Sequence, residues 1–138
     1  MRYILITLLL LPMSALCQTK ADYEHAMDRF VKYYNARQGD SIVAMWPPNE
    51  KKTMTHMWGD ESVNDTYKDC GAITSYTYIG KDMKDPNKVA VFKVTFSKMG
   101  VKATSLTLDG KYLGTFRFIT RSPEIDKMLK CVECPAHM

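Results

Sequence analysis

The chain has 138 residues and a formal net charge of +4, and 46% of its residues are hydrophobic while 25% are charged. This length fits one domain with a single core, and the composition excludes an intrinsically disordered chain. The basic residues are scattered without a run of five or six, so a nucleic-acid-binding or anionic-lipid-binding protein is not indicated.

The N-terminal segment has the layout of a secretory signal peptide. Arg2 precedes an apolar run over 4–11, which is followed by Pro12 and a small-residue stretch over 14–17. The run is far shorter than the roughly 20 apolar residues that span a bilayer. No later segment is apolar enough to span one either. We therefore predict a signal peptide over 1–17, a secreted or periplasmic protein, and no transmembrane segment.

Two kinds of processing fit the end of this segment. Ala15 and Cys17 place small side chains at the −3 and −1 positions, so that cleavage after Cys17 leaves Gln18 as the new N-terminus. Lipoprotein processing would instead keep and acylate Cys17. Leu16, however, stands where that signal has a small residue, and Ser14 where it has a branched apolar one. Free secretion is favoured, and lipid anchoring at Cys17 is the alternative.

An amphipathic helix is predicted directly after Thr19, with Asp22 at its third position in a near capping-box arrangement. Apolar residues then recur at the spacing of one helical face. These residues are Tyr23, Ala26, Met27, Phe30, Val31 and Tyr34.

Shorter helical segments follow the first helix. Gly39 is predicted to take the positive φ of the helix exit. Asp40-Ser41 is predicted to cap a turn over 42–46. A third helical piece begins near Glu50, and a further turn or two lie within 60–69.

The apolar spacing changes from near four to two after Gly71, which indicates β-strands. The four predicted strands cover 72–79, 89–97, 101–108 and 112–120. Asp109-Gly110 is a pair favoured by a two-residue type I′ hairpin. The strands are therefore expected to form an antiparallel meander.

The C-terminal residues predict one more short helix. Ser122-Pro123 is a good pair for the N-cap and first helical position. The apolar residues that this helix would carry are Ile125, Met128 and Leu129.

Helices followed by strands predict an α+β domain, in which N-terminal helices pack on a curved four-stranded antiparallel sheet. The predicted organisation is a signal peptide over 1–17, an α+β domain over 18–121 and a C-terminal helical tail over 122–138. No internal repeat or low-complexity segment is present.

Several loosely patterned positions carry a resemblance to a known family. They are Phe30-x-x-x-Tyr34-Asn35, Asp40-Ser41-Ile42, "VFKVTFSK" and "LTLDGKYLGTFRF". Over Tyr23–Thr120 the chain resembles the domain-of-unknown-function 3887 family, whose small extracytoplasmic domains are similar to the nuclear transport factor two cone, a cystatin-like fold. The resemblance implies a cone-shaped domain with a pocket. Trp46 with its two following prolines, and the cysteine-bearing tail, depart from the family pattern.

Enzymes of this fold place carboxylate, His or Tyr groups in the pocket, but no predicted strand of this chain contains Asp, Glu or His. His25 lies off the apolar stripe and Asp109 lies in a turn, so neither is predicted to face the pocket. A lone Tyr, with a pKa near 10, is a weak base at neutral pH. The predicted pocket residues are Tyr34, Trp46, Tyr76, Tyr78 and Phe116.

These residues favour an exported, non-catalytic binding module of the bacterial cell envelope. Its ligand would be a small apolar molecule or an envelope protein, bound through the pocket or the sheet face. The alternative is a small lyase or isomerase that uses Tyr76 or Tyr78. No cofactor is predicted, and a homodimer through the sheet face is a further partner to consider.

The closing sequence "CVECPAHM" contains Cys131 and Cys134, with His137 three residues later. The thiols follow a predicted helix, where the helix dipole opposes thiolate formation, so a redox catalyst is not indicated. Pro135 stands where covalent haem attachment needs His. Zinc held by these three residues and Cys70 would rest on a single CxxC, so no metal is predicted. A disulfide from Cys70 to Cys131 or Cys134 is favoured over a Cys131–Cys134 bridge.

The stretch "MTHMW" admits two interpretations. Thioether and imidazole groups suit Cu(I). Met54, Met57 and Trp58, however, share one helical face while His56 points away from it. We therefore predict that the three apolar residues belong to the core.

Overall fold

A computed structural model describes residues 18–81 and 89–119. The predicted signal peptide over 1–17 and the predicted helical tail over 122–138 lie outside the described residues. The helices are α1 (Lys20–Asn35), α2 (Gly39–Val43), α3 (Lys51–Trp58) and α4 (Asp60–Cys70), with a 3₁₀ turn over Pro48–Glu50. The strands are β1 (Ile73–Lys81), β2 (Ala90–Phe96), β3 (Gly100–Asp109) and β4 (Tyr112–Ile119).

The strands form one antiparallel sheet in the order β1-β2-β3-β4, so each strand pairs with its neighbour in sequence. The sheet is not closed into a barrel. In the sheet register, Phe92 of β2 lies opposite Tyr78 of β1 and also opposite Thr104 of β3. The predicted α+β class and the four-stranded antiparallel meander are confirmed.

Helix α1 begins with the predicted capping box. The Thr19 hydroxyl accepts the backbone N–H of Asp22, and the Asp22 carboxylate accepts the backbone N–H of Thr19. These reciprocal bonds satisfy two backbone donors that a helix start leaves without partners. The predicted apolar stripe is buried, except that Val31 is only half-buried.

The middle of α1 packs on the sheet through aromatic contacts. Phe30 has no exposed surface, and its ring stacks on Phe116 of β4 with 4.0 Å between centroids. Trp58, at the end of α3, meets the Phe30 ring edge-on at 5.3 Å. Burying such a ring is worth about 1.5–3 kcal/mol, and a favourable aromatic pair adds about 0.5–1.5 kcal/mol. These contacts hold α1 and α3 on the same face of the sheet.

The C-terminal end of α1 is tied to the start of β1 by hydrogen bonds. The Tyr34 hydroxyl donates to the Gly71 carbonyl at 3.1 Å. Asn35 donates from Nδ2 to the Ile73 carbonyl and accepts the Ile73 N–H at Oδ1, both at 2.9 Å. The Asn35 amide thus makes the pair of bonds that a neighbouring strand would make, at the open edge of the sheet.

Two predictions about the exit from α1 are wrong. The positive φ lies at Arg37, at 57°, whereas Gly39 is the first residue of α2. A Cβ at Gly39 would collide with the backbone at the start of α4, so this glycine permits a close approach between two helices. Asp40-Ser41 lies inside α2, whose N-cap residue Gln38 makes no side-chain cap bond.

The helices α3 and α4 complete the helical layer. Trp58 is buried and Met54 packs against the core, but Met57 is 56% exposed, so the prediction that Met57 belongs to the core is wrong. The helix α4 has eleven residues and ends at Gly71, whose φ is 79°. Among the described residues no helix has both the length and the apolar character needed to cross a membrane.

Replacing Phe30 with Ala should lower the free energy of unfolding by about 3–5 kcal/mol, as for other large-to-small changes in a core. The expected cause is the cavity left beside Phe116 and Trp58. Met57→Ala is the control, because its exposed side chain should change stability by no more than about 0.5 kcal/mol. Urea denaturation of both variants measures the two values. A loss below about 1 kcal/mol for Phe30→Ala would contradict the docking of α1 on the sheet.

Candidate functional site

A cleft of about 710 Å³ lies between the first half of α1 and the turn that joins β3 to β4. One wall carries Asp22, His25 and Arg29 of α1, and the other carries Asp109 and Lys111. The three helical residues are spaced by one turn each, so they share a face. That face adjoins the buried stripe, which is why packing of the stripe on the sheet turns these side chains towards the hairpin.

The hairpin wall is shaped by its turn. Asp109 pairs with Tyr112, so the two turn residues are Gly110 and Lys111. Positive φ occurs at Gly110 alone, at 58°, whereas a type I′ turn needs it at both central residues. The type I′ prediction is therefore wrong, and a single positive φ at the first position is the pattern of type II′. Lys111 extends from this turn with its Nζ 5.2 Å from the Tyr112 ring centroid.

Gln18 joins the two walls at one end of the cleft. Its Nε2 donates to the Leu108 carbonyl at 2.9 Å, and its Oε1 accepts the Tyr23 hydroxyl at 3.1 Å. The Gln18 carbonyl also accepts Lys81 Nζ at 2.9 Å. These bonds connect the start of α1 with the ends of β3 and β1, so the cleft is built on fixed elements. The sequence prediction gave Gln18 only as the expected N-terminus after cleavage, with no role in a site.

Asp22 is held as a carboxylate at the same end of the cleft. The backbone N–H and then the hydroxyl of Thr19 donate to it, and these bonds lower its pKa. The positive end of the α1 dipole favours the same charge. His25, which we did not predict to face a pocket, is exposed and lines the cleft one turn later.

The remaining charges of the cleft have no ion-pair partner among the described residues. The two ion pairs in that part of the chain are Lys20–Glu24 and Lys68–Asp65, and neither involves the cleft. Arg29 is half-buried, while Asp109 and Lys111 are exposed. All three charges are therefore available to a ligand.

Three of the predicted pocket residues lie in the core. Tyr34, Trp46 and Phe116 are at most 5% exposed and belong to the cluster of apolar side chains between helices and sheet. None of them lines the cleft. In the buried interior, two indole nitrogens and one hydroxyl have no hydrogen-bond partner among the described residues. They are Trp46 Nε1, Trp58 Nε1 and Thr104 Oγ1.

Tyr76 and Tyr78 lie on the helix-facing side of the sheet, at the open edge formed by β1. Both rings meet Phe92 edge-on, at 5.9 and 5.3 Å between centroids. The Tyr76 hydroxyl donates to Asp28 of α1. Burial, with a smaller effect of this bond, raises the pKa of Tyr76 to about 12. Burial also raises the pKa of Tyr78, so both phenols stay protonated at neutral pH.

The sheet face opposite the helices has buried residues at its centre. Val91 and Ala103 point to this face and are each 3% exposed. Neither belongs to the main core cluster, which lies on the other side of the sheet. Val101, near one end of the same face, is 48% exposed.

The described cysteine is half-buried. Cys70 Sγ lies 3.4 Å from Met99 Sδ, and burial raises the pKa of the thiol. Its predicted disulfide partners, Cys131 and Cys134, lie outside the described residues, as does His137. Among the described residues, no group of three or more His, Cys, Asp or Glu side chains could hold a metal ion.

No family model, no curated protein and no solved structure matches this chain.

The hydrogen bond between Tyr76 and Asp28 should raise the pH at which Tyr76 ionises. Tyr76 should ionise near pH 12 in the folded protein, and Asp28→Asn should lower that value towards 10 without reaching it, because burial remains. Since the folded-state pKa is raised, the phenol contributes its full stabilisation below about pH 10 and loses it as the pH rises towards the folded value. NMR titration of ring-labelled tyrosine, assigned with Tyr76→Phe, measures the shift. Asp65→Asn is the control, and ionisation of Tyr76 near pH 10 in the unmodified protein would contradict the contact.

Proposed function

We propose that this protein is an exported, non-catalytic binding module of the bacterial cell envelope, and that its ligand binds in the cleft between α1 and the β3–β4 turn. The observation that carries the proposal is a cleft of about 710 Å³ whose charged side chains have no ion-pair partner in the described part of the chain. Ligand pockets usually measure about 300–1,000 Å³, so the cleft suits a small molecule. Export rests on the signal-peptide pattern.

The chemistry of the cleft favours a polar ligand over the apolar one expected from the sequence. Charged side chains stand on both walls, whereas Ala26 is buried and Leu108 is half-buried. The aromatic residues that suggested an apolar pocket pack against one another, as in the Phe30–Phe116 stack. A ligand of the cleft would be recognised by charge and hydrogen bonding.

The aromatic core is a second candidate place for a ligand. Trp46 Nε1, Trp58 Nε1 and Thr104 Oγ1 are buried without partners in the described residues, and such groups are rare in folded proteins. An apolar molecule carrying a hydrogen-bond acceptor would satisfy whichever of them it reached. This alternative retains two expectations from the sequence, a small apolar ligand and the internal pocket of a cone-shaped fold.

The raised pKa values of Tyr76 and Tyr78 weigh against the enzymatic alternative. A general base works best with a pKa near the working pH, and burial moves both phenols further from it. The Asp28 carboxylate accepts a hydrogen bond from the Tyr76 hydroxyl, so the phenolic proton is already used in a structural hydrogen bond. Binding without catalysis is therefore the better-supported function.

Several finer features stay predictions. They are membership of the domain-of-unknown-function 3887 family, the cone shape with its internal pocket, the C-terminal helix and a homodimer through the sheet face. The burial of Val91 and Ala103 favours the cleft over the sheet face as the binding surface.

NMR titration of the ¹⁵N-labelled mature chain tests the proposal and distinguishes binding in the cleft from binding in the aromatic core. The probes are amino acids, short peptides, sugars and short-chain fatty acids, added singly. Binding in the cleft should shift the amides of Gly110 and Lys111 and leave the indole N–H signals of Trp46 and Trp58 unchanged. Shifts confined to the indoles would move the site to the core, and no shift with any probe would contradict the proposal.

Substitution in the cleft provides the matched test. Lys111→Ala should weaken the binding of any anionic probe by a factor of about two to five, the usual effect of one exposed charge. Lys93→Ala is the control, because Lys93 is also exposed but points from the opposite face of the sheet. Equal losses in the two variants would show that only the net charge matters.

A further inference from the structure

Charges of opposite sign stand at the two ends of the helical wall. Asp22 and Arg29 are seven residues apart on α1, which is about 10 Å along the helix axis at 1.5 Å per residue. Asp22 belongs to the capping box, so its position is fixed at the helix start. Arg29 is half-buried one turn beyond His25. The wall is thus acidic at one end and basic at the other.

The hairpin wall repeats this mixture of charges. Asp109 ends β3 and Lys111 follows two residues later in the turn. Apart from His25, the ionisable side chains that line the cleft are two acidic and two basic ones. A simple anion or cation meets as much repulsion as attraction in such a cleft. A ligand that carries both charges gains from both ends.

We propose that the cleft binds short peptides with free termini, recognising a terminal ammonium near its acidic end and a terminal carboxylate near its basic end. The proposal rests on the function proposed above and names its ligand class. An extended peptide advances about 3.3–3.6 Å per residue, so three residues separate the two terminal charges by up to about 10 Å. This span matches the distance from Asp22 to Arg29 along α1. Leu108, which is half-buried, offers a small apolar surface to the central side chain.

Each charge should contribute modestly, because most of these groups are exposed. One exposed ion pair changes affinity by a factor of about two to five, so the complex should be weak and should weaken further in high salt. The selectivity for two charges at a fixed separation is therefore the property that identifies the ligand class.

Titration of the mature chain with trialanine and three relatives tests the proposal, using the amide signals of Gly110 and Lys111. Trialanine should bind more tightly than N-acetyl-trialanine and than trialanine amide, by a factor of at least about two in each case. Free alanine, whose charges lie too close together to reach both ends, should be the weakest. Equal binding of the blocked and free peptides, or of alanine and trialanine, would overturn the proposal.

Charge-specific variants assign each terminus to its end of the cleft. In Arg29→Gln, the preference for trialanine over trialanine amide should shrink, because the carboxylate has lost one of its partners, while N-acetylation still weakens binding. Asp109 follows Leu108, whose carbonyl is bonded to Gln18 at the Asp22 end of the cleft, so in Asp109→Asn the penalty for N-acetylation should shrink. Arg29→Met, which keeps a long unbranched side chain without the charge, replaces Arg29→Gln if that variant does not fold, and Lys93→Ala should leave all ratios unchanged. A loss of affinity in Arg29→Gln that is the same for every peptide would overturn the assignment.

The outcomes also separate this proposal from the proposed function. If sugars or single amino acids shift the cleft signals and trialanine does not, the peptide proposal fails and the binding function stands. If no probe shifts them, both fail.

Discussion

Helix α1 is fixed to the sheet at two places, and both the core and the cleft depend on this attachment. In the middle of the helix, Phe30 stacks on Phe116 with 4.0 Å between ring centroids. At its C-terminal end, Asn35 exchanges two hydrogen bonds with Ile73 of the edge strand. Because one face of α1 is committed to these contacts, the adjacent face, which carries the charged residues of the cleft, is directed at the hairpin. The packing of the core thus sets the geometry of the proposed site.

The same attachment separates two chemical environments. On the sheet side of α1 the aromatic residues are buried, and burial keeps phenols such as Tyr76 protonated well above neutral pH. On the hairpin side the charges of both signs are exposed or half-buried, and they have no ion-pair partner in the described part of the chain. Exposed, balanced charges give selectivity more readily than strong affinity. This contrast is the physical reason for proposing recognition of a polar ligand and not catalysis.

The elements of this fold follow from local patterns, whereas the site follows from contacts that no local pattern contains. Apolar spacing predicted α1 and all four strands, and Thr19 with Asp22 predicted the capping box. Gln18, by contrast, bonds to Leu108 across ninety residues of sequence, and Asp28 accepts Tyr76 across forty-eight. Gly39 was predicted to end α1, because a glycine after a helix commonly takes a positive φ. Its observed role, a close approach to the start of α4, depends on tertiary packing that the local sequence does not show. His25 was correctly placed off the apolar stripe, but only the position of the hairpin shows that it lines a cleft.

The amide hydrogen exchange of Ile73 tests the attachment of α1 most directly. Ile73 begins an edge strand, and its N–H bonds to the Asn35 side chain of α1. An edge amide without such a partner exchanges rapidly, whereas one tied to a stable helix is protected like the core. We expect an exchange rate for Ile73 within about tenfold of that for Val94 in the buried strand β2. Exchange of Ile73 at the rate of an unprotected amide, with Val94 still protected, would contradict the account.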